Sequence, residues 1–296
     1  MNERTKEAFS DSQGAALGGK PEVNTRASQD IAERFVRARL AGTSLAEFPG
    51  EVPDTLAAAY ACQDAAIARW PDRVEGWKVG RILEPWFSRL GSDRLVGPIF
   101  ADAVRTSRYG DVVEFPVFEG GFAAVEAEFI VRLNADAPLA RATWTAADAH
   151  ALVAALHVGI ETAGSPLATI NALGPTVVVS DFGNNAGLIV GPEIPHWRNF
   201  APDQLASETF VNDLSVGKGT AASVPGGPMA GLAFALNLCA SRGFALKAGQ
   251  FVSTGATTGI HNIRCGESAR AVFAGVAEIK CRAILARRAA TEQVPQ

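Results

Sequence analysis

Residues 123–133 read AAVEAEFIVRL, with Val125-Glu126-Ala127-Glu128-Phe129 at the centre. In a strand, residues two apart project to the same face. Glu126 and Glu128 therefore stand side by side, while Val125, Ala127, Phe129 and Val131 pack behind them. Two like charges held together repel, and they call for water, a cation or a shared proton. A hard divalent ion such as Mg²⁺ accepts oxygen ligands and keeps positions open for water or substrate. The plainer account is an exposed strand face, where E-x-E is common.

Working outward from this stretch, the chain has β texture from Gly76 onward, in short runs separated by Gly and Pro. The runs at 76–80, 123–133, 156–162, 186–190, 208–215, 250–253 and 269–281 each read as one strand. Two helices interrupt them. One opens at Thr145, where T-x-x-D resembles a capping box with Asp for Glu. The other runs from about Pro228 to Ser241 and stops at Gly243. Before Gly76 the texture is helical. Ile31, Phe35 and Ala38 share a face with Ser28 as the expected cap, and Pro53 opens a second helix carrying Leu56, Tyr60, Gln63 and Ile67. Strands and helices do not alternate, so a Rossmann sheet fits poorly. The expectation is an α+β fold, a mixed or antiparallel β core behind a small helical section. The expected divisions are a disordered tail (1–27), a helical section (28–72), a β-rich domain (73–285) and a flexible C-terminus (286–296).

Composition narrows the function classes. The 296 residues carry 31 acidic and 27 basic side chains, for a formal charge of −4. That mild, evenly spread charge argues against nucleic acid as a partner. The cysteines at 62, 239, 265 and 281 lack metal-ligand spacing and suggest no disulfide framework. The longest apolar stretch, Met229 to Ala240, is too short to span a bilayer and is broken by Asn237. The first 30 residues lack the apolar core of a secretory signal. A soluble, cytoplasmic protein is expected.

Further candidates for chemistry lie elsewhere. Glu161 sits in the apolar run His157-Val158-Gly159-Ile160-Glu161, where a charge is costly unless paired or metal-bound. By itself it reads more simply as a strand-end residue facing solvent. Lys78, in Gly76-Trp77-Lys78-Val79-Gly80, is flanked by glycines that admit close approach of a ligand. An ammonium there could bind a carboxylate or donate a proton, or it could snorkel to water. The runs 253–259 (STGATTG) and 180–187 (SDFGNNAG) could cradle a small anion or form ordinary turns. Ser215-Val216-Gly217-Lys218 spells S-x-x-K in the wrong setting, a Gly-rich hairpin. His150 and His157 straddle a helix-to-strand junction and do not share a metal, while His196 and His261 carry no assignment.

Taken in order, G-x-K-V-G, E-x-E, a Gly-Ile-Glu segment, Asn-x-Gly before a strand and S-T-G-x-x-T-G resemble the fumarylacetoacetate hydrolase superfamily. The closer resemblance is to its 2-keto-4-pentenoate hydratase and oxalocrotonate decarboxylase branch. Ala59-Tyr60-Ala61-Cys62-Gln63 and Leu246-Lys247-Ala248-Gly249-Gln250 add to it, and the likeness covers about residues 30 to 283. It implies a mixed β-roll, barrel-like, with a Mg²⁺ or Mn²⁺ site held by Glu126, Glu128 and Glu161, with Lys78 as the active-site lysine. It also implies that Ser253, Thr254 and Gly255 sit near the substrate carboxylate, with Asp102 as the kept member of an acidic pair. The implied substrate is a small 2-oxo acid and the implied assembly a homo-oligomer.

The implied reaction is hydration of a 2-hydroxy-2,4-dienoate to a 4-hydroxy-2-oxo acid. Decarboxylation of a 2-oxo-3-enedioate, C–C hydrolysis of an acylpyruvate, and a non-catalytic oligomeric binding module are the alternatives. Arg81, Arg89 and Arg105 are candidates for a distal carboxylate. The chain departs from the family pattern after the third ligand. Where I-E-x-x-D-S-R is common, it has Ile160-Glu161-Thr162-Ala163-Gly164-Ser165-Pro166, and Gly227 stands where many members have His.

Overall fold

The computed structural model describes residues 25–141 and 143–286. Two helices come first, α1 (Thr25–Ala41) and α2 (Leu56–Ile67). Ile31, Phe35 and Ala38 lie buried along one face of α1, as their spacing requires. Ser28 is not a cap: the helix begins three residues earlier, and Ser28 is buried inside it. Pro53 likewise precedes α2, whose cap is Thr55, its hydroxyl accepting from the Ala58 N–H. The tail expected over 1–27 lies outside the described residues, except that 25–27 open α1. The expected C-terminus lies outside them beyond Ala286.

The chain then runs β1 (Val74–Arg81), α3 (Trp86–Leu90), β2 (Arg94–Phe100), β3 (Val104–Thr106), β4 (Val112–Val117) and β5 (Phe122–Leu133). It continues through α4 (Ala146–His150), β6 (Val153–Ser165), α5 (Ile170–Leu173), α6 (Pro175–Ser180), β7 (Asn185–Glu193), β8 (Ala206–Val211) and β9 (Leu214–Thr220). It ends with α7 (Gly227–Ser241), β10 (Phe251–Ala256), β11 (His261–Asn262), β12 (Ser268–Phe273) and β13 (Ala277–Leu285). The capping box at Thr145 is present, with Asp148 as its acid.

Two runs expected as single strands are hairpins. Residues 208–215 turn at Asn212 and Asp213, which both take positive φ, and 269–281 turn around Gly275. Around Gly275 apolar residues continue on both sides and hide the turn, whereas the polar pair Asn212-Asp213 marks the first turn in the sequence itself. Strand β2 has no counterpart in the sequence reading, its run being interrupted by Gly97 and Pro98.

The strands form two mixed sheets. The larger has the order β2-β1-β10-β5-β6-β7-β3, with β11 beside β5; the smaller is β4-β13-β12-β8-β9. Pairing is antiparallel except for β1/β10, β3/β7 and β4/β13. The fold is thus α+β, a curled mixed β core behind a small helical section. Strands β5 and β6 are central and covered on both faces. No helix among the described residues is long and apolar enough to cross a membrane.

Candidate metal centre

Four neighbouring strands, β1, β10, β5 and β6, bring the chemistry together. In the β5/β6 ladder Glu126 stands directly opposite Glu161, and Glu128 opposite Gly159. Like charges directly opposite each other are unfavourable in an exposed sheet. Here they are also buried: Glu126 is 7% exposed, and Glu128 and Glu161 are fully enclosed. Three strand spacings of about 4.8 Å would separate β1 from β6 in a flat sheet. The curl of the sheet and the reach of lysine bring Lys78 Nζ to 3.1 Å from Glu161 Oε1.

Each fully buried carboxylate has one oxygen fixed by the protein and one left over. Glu128 Oε2 accepts from Ser253 Oγ at 2.6 Å and from the Gly255 N–H at 2.8 Å. The latter bond exists because the β10/β5 ladder breaks register between Ser253 and Ala256, where Gly255 takes φ 125°. Glu161 Oε1 accepts from Lys78 and from Asn185 Nδ2 at 3.0 Å. Glu128 Oε1 and Glu161 Oε2 have no hydrogen-bond partner among the described residues. Unpaired buried polar atoms are costly and rare. Ligand atoms from Glu126, Glu128 and Glu161 all lie within 4.8 Å of one another. Three carboxylates facing one ammonium leave two uncompensated negative charges, and an all-oxygen donor set suits Mg²⁺ or Mn²⁺. The residues fit a divalent cation.

Protonation of the cluster follows the same logic. Burial, reinforced by Glu161, pushes Glu126 up to about 7 against the opposing pull of Lys78. Burial and the neighbouring carboxylates push Glu128 well above the usual range. For Lys78, burial favours the neutral amine, but Glu161, Glu126 and Glu128 together outweigh it and keep the ammonium charged.

Lys78 and Glu126 line a cavity of about 610 Å³, within the range of small-molecule sites. Trp86, Pro175, Val178, Val224, Thr254 and Gly255 are among the other residues that line it. Arg81 and Arg94 also line it. Arg94 is committed to Asp93 and the Pro225 carbonyl, whereas exposed Arg81 has no ion-pair partner among the described residues.

The other expected site residues are placed differently. The Ser253 hydroxyl is taken up by Glu128, so it fixes a carboxylate rather than facing the cavity. Thr254 and Gly255 do line the cavity, but the Thr254 hydroxyl donates to the Phe129 carbonyl. Asp102 sits exposed on a 3₁₀ turn (Ala101–Ala103), its N–H donating to Asp72, and it is not part of the cavity lining. Arg89 lies over the Trp86 ring and Arg105 bonds the Ala103 carbonyl. None of the four histidines lines the cavity. The sequence reading missed Asn185 as a partner of Glu161. Its Asn-x-Gly pattern was visible, but nothing in it points at a residue 24 positions away.

No family model and no curated protein sequence matches the chain. Solved structures do. The chain is similar to 4-oxalocrotonate decarboxylase from Pseudomonas putida G7 complexed with magnesium and adipate, at 21% identity and a TM-score of 0.74, covering 90% of this chain and 100% of that one. It is also similar to fumarylpyruvate hydrolase from Pseudomonas aeruginosa in complex with Mn²⁺ and pyruvate, at 17% identity and a TM-score of 0.53, covering 73% and 91%. A third is 5-carboxymethyl-2-hydroxymuconate delta-isomerase from Mycobacterium smegmatis, at 13% identity and a TM-score of 0.52, covering 73% and 81%.

Proposed function

We propose that this chain, which has the fold of these enzymes, is a divalent-metal-dependent lyase acting on a small 2-oxo acid. The specific reaction proposed is hydration of a 2-hydroxy-2,4-dienoate. One observation carries the reading. Two enclosed carboxylates each keep one oxygen pinned by protein donors and one unpaired, beside a charged lysine that lines a cavity.

Glu126, Glu128 and Glu161 would hold Mg²⁺ or Mn²⁺, which supplies Lewis-acid stabilisation of the oxygen at C2 when bound. The chain's own residues do the rest. Lys78 Nζ carries the transferable proton. Nζ delivers a proton to C5, and the amine left behind takes up the proton that the 2-hydroxyl gives up, so the lysine is restored and the dienol becomes a 2-oxo-3-enoate. Water then adds its hydroxyl to C4 and a proton to C3, for a net uptake of one water. Val79, Leu95, Val178 and Val224 give the cavity apolar lining beside Lys78 and Glu126. Assembly as a homo-oligomer in the cytoplasm belongs to the same proposal, and sedimentation velocity tests the assembly.

A second reading, decarboxylation of a 2-oxo-3-enedioate, is favoured by the cavity's charges. Among the described residues its ionisable lining groups are Lys78, Arg81, Arg94 and Glu126. Decarboxylation needs no base to activate water, and Arg81 would receive the second carboxylate. The C–C bond breaks, CO₂ leaves, its electron pair passes into the enolate, and Nζ protonates carbon. The absence of histidine from the lining counts against an acylpyruvate hydrolase.

The deciding experiment offers the protein with Mg²⁺ a 2-hydroxydienoate, its carboxylated analogue and an acylpyruvate. Loss of dienoate absorbance without CO₂ supports hydration, and CO₂ release supports decarboxylation. Pyruvate plus an acid supports hydrolysis. Inactivity on all three, with no thermal shift on adding Mg²⁺ and oxalate, overturns the enzyme reading in favour of a non-catalytic module.

A further inference from the structure

We infer that Arg39, on the N-terminal helix, is a positioning residue for Glu161 and acts through Asn185. The inference rests on the metal-site reading above. Arg39 is drawn deep into the β core, its side chain 5% exposed. Nε donates to Asp181 Oδ1 at 2.5 Å, Nη1 to the Asn185 carbonyl at 2.9 Å, and Nη2 to the Gly164 carbonyl at 2.9 Å. The second Asp181 oxygen accepts from Ser165 Oγ at 2.6 Å. One planar guanidinium thus clamps the backbone at the end of β6 and the start of β7, the fork geometry that arginine offers and lysine lacks.

The clamp acts where the ladder cannot. Pairing of β6 with β7 breaks register between Thr162 and Ala163, one residue beyond Glu161. The carbonyls of Gly164 and Asn185 lie just past that break. Fixing the Asn185 backbone fixes its side chain, whose Nδ2 donates both to Glu161 Oε1 and to the Gly187 carbonyl. Glu161 Oε1 is thereby held, its Oε2 has no hydrogen-bond partner among the described residues, and a carboxylate oxygen of Glu161 lies within 4.8 Å of ligand atoms of Glu126 and Glu128. Loss of a partner that orients a metal-binding side chain typically costs about 10–100-fold in metal affinity.

The same contacts explain the departure after Glu161. Gly164 and Pro166 stand where the related pattern has Asp and Arg, yet an aspartate and an arginine still converge on this segment. Asp181 reaches Ser165 from the end of α6, and Arg39 reaches Gly164 from α1. A buried ion pair adds little net stability over packed apolar residues, so stability alone does not account for it. Fixed geometry next to Glu161 does.

The test is calorimetric titration of the full-length protein with Mg²⁺ alone. Arg39→Lys keeps the charge but cannot span the four acceptors on Asp181, Gly164 and Asn185, and it should weaken Mg²⁺ binding about 10-fold or more. Asn185→Ala should weaken it at least as much. The double variant should bind no more weakly than Asn185→Ala, because one residue acts through the other. Ile31→Ala, a packing change on the same helix, should lower Tm and leave Mg²⁺ affinity within about twofold.

Unchanged affinity in Arg39→Lys, or fully additive losses in the double variant, overturns the inference. If Arg39→Lys does not fold, Arg39→Met combined with Asp181→Leu replaces the pair by apolar packing. Wild-type affinity in that variant overturns it equally. A wild-type protein that binds no Mg²⁺ fails the metal-site reading itself, a different result from a wild type that binds while its variants are unaffected.

Discussion

Strands β5 and β13 obey the same alternation rule and put charge in opposite circumstances. On β13, Glu278 and Lys280 lie two apart on the outer face, pair with each other at 3.2 Å, and alternate with buried Ile279 and Cys281. On β5, Glu126 and Glu128 also lie two apart, but burial is continuous from Ala124 to Val131, and their cation comes from another strand. A charged pair in a strand is therefore no signal of function. The signal is charge that is buried and not balanced by the protein. On β13 the Glu278–Lys280 pair sums to zero and solvent does the rest, whereas at β5 and β6 three carboxylates meet one ammonium.

The largest effect that would separate the two strands comes from removing each lysine. Lys78→Met leaves Glu161 with a buried, unpaired charge and should cost the metal-free protein about 3–5 kcal/mol. Lys280→Met breaks a half-exposed pair and should cost less than about 1 kcal/mol. Urea unfolding in EDTA measures both. Comparable losses would show that the two pairs sit in equivalent surroundings and would break the contrast.

Next in size is the effect of removing one acid. Glu128→Gln puts a neutral amide where burial and the neighbouring acids already favour the protonated carboxyl. Without metal it should leave Tm within a few degrees of the wild type, and it should abolish the rise that Mg²⁺ gives the wild type. Glu278→Gln should change neither. A Glu128→Gln protein that loses stability and still responds to Mg²⁺ removes Glu128 from the site.

The same cluster gives a pH signature in the metal-free protein. Burial raises Glu126 to about 7, so between the ordinary carboxylate range and pH 7 the folded state holds a proton that the unfolded state has released. Stability should then fall as pH rises through that window. Saturating Mg²⁺ should flatten the slope, because cation replaces proton. A slope unchanged by Mg²⁺ would count against metal and proton sharing one site.

These contrasts mark what was legible in the sequence. Alternation and apolar runs located β1, β5, β6 and β7, because period-2 patterning is local. The turn inside 269–281 escaped because it depends on backbone sign at Gly275 within largely apolar text, while the one inside 208–215 was signalled by Asn212-Asp213 and was passed over. Glu126, Glu128, Glu161 and Lys78 were visible as charges in apolar strands, and the structure brings all four together. Asp102 rested on resemblance alone and lies at the surface. Arg39 and Asp181, 142 residues apart, could not have been paired, since neither is unusual in its own neighbourhood.

The smallest effect tests the quieter strand. The inner face of β13 carries Cys281, whose thiol burial pushes up to about 12, and burial does the same to Cys239 on α7. Cys62 is buried and raised as well, while Cys265, in the turn before β12, is exposed. The thiolate is the reactive form, so at pH 8 a thiol reagent should modify one cysteine per folded chain and all four in denaturant. Cysteine→Ser at 265 should remove the native signal. Since β13 takes no part in the metal site, Mg²⁺ should leave that count at one. A second cysteine that reacts in the native state and is shielded by Mg²⁺ would mean that the inner face of β13 opens with the metal centre, and the two strands would then belong to one coupled unit.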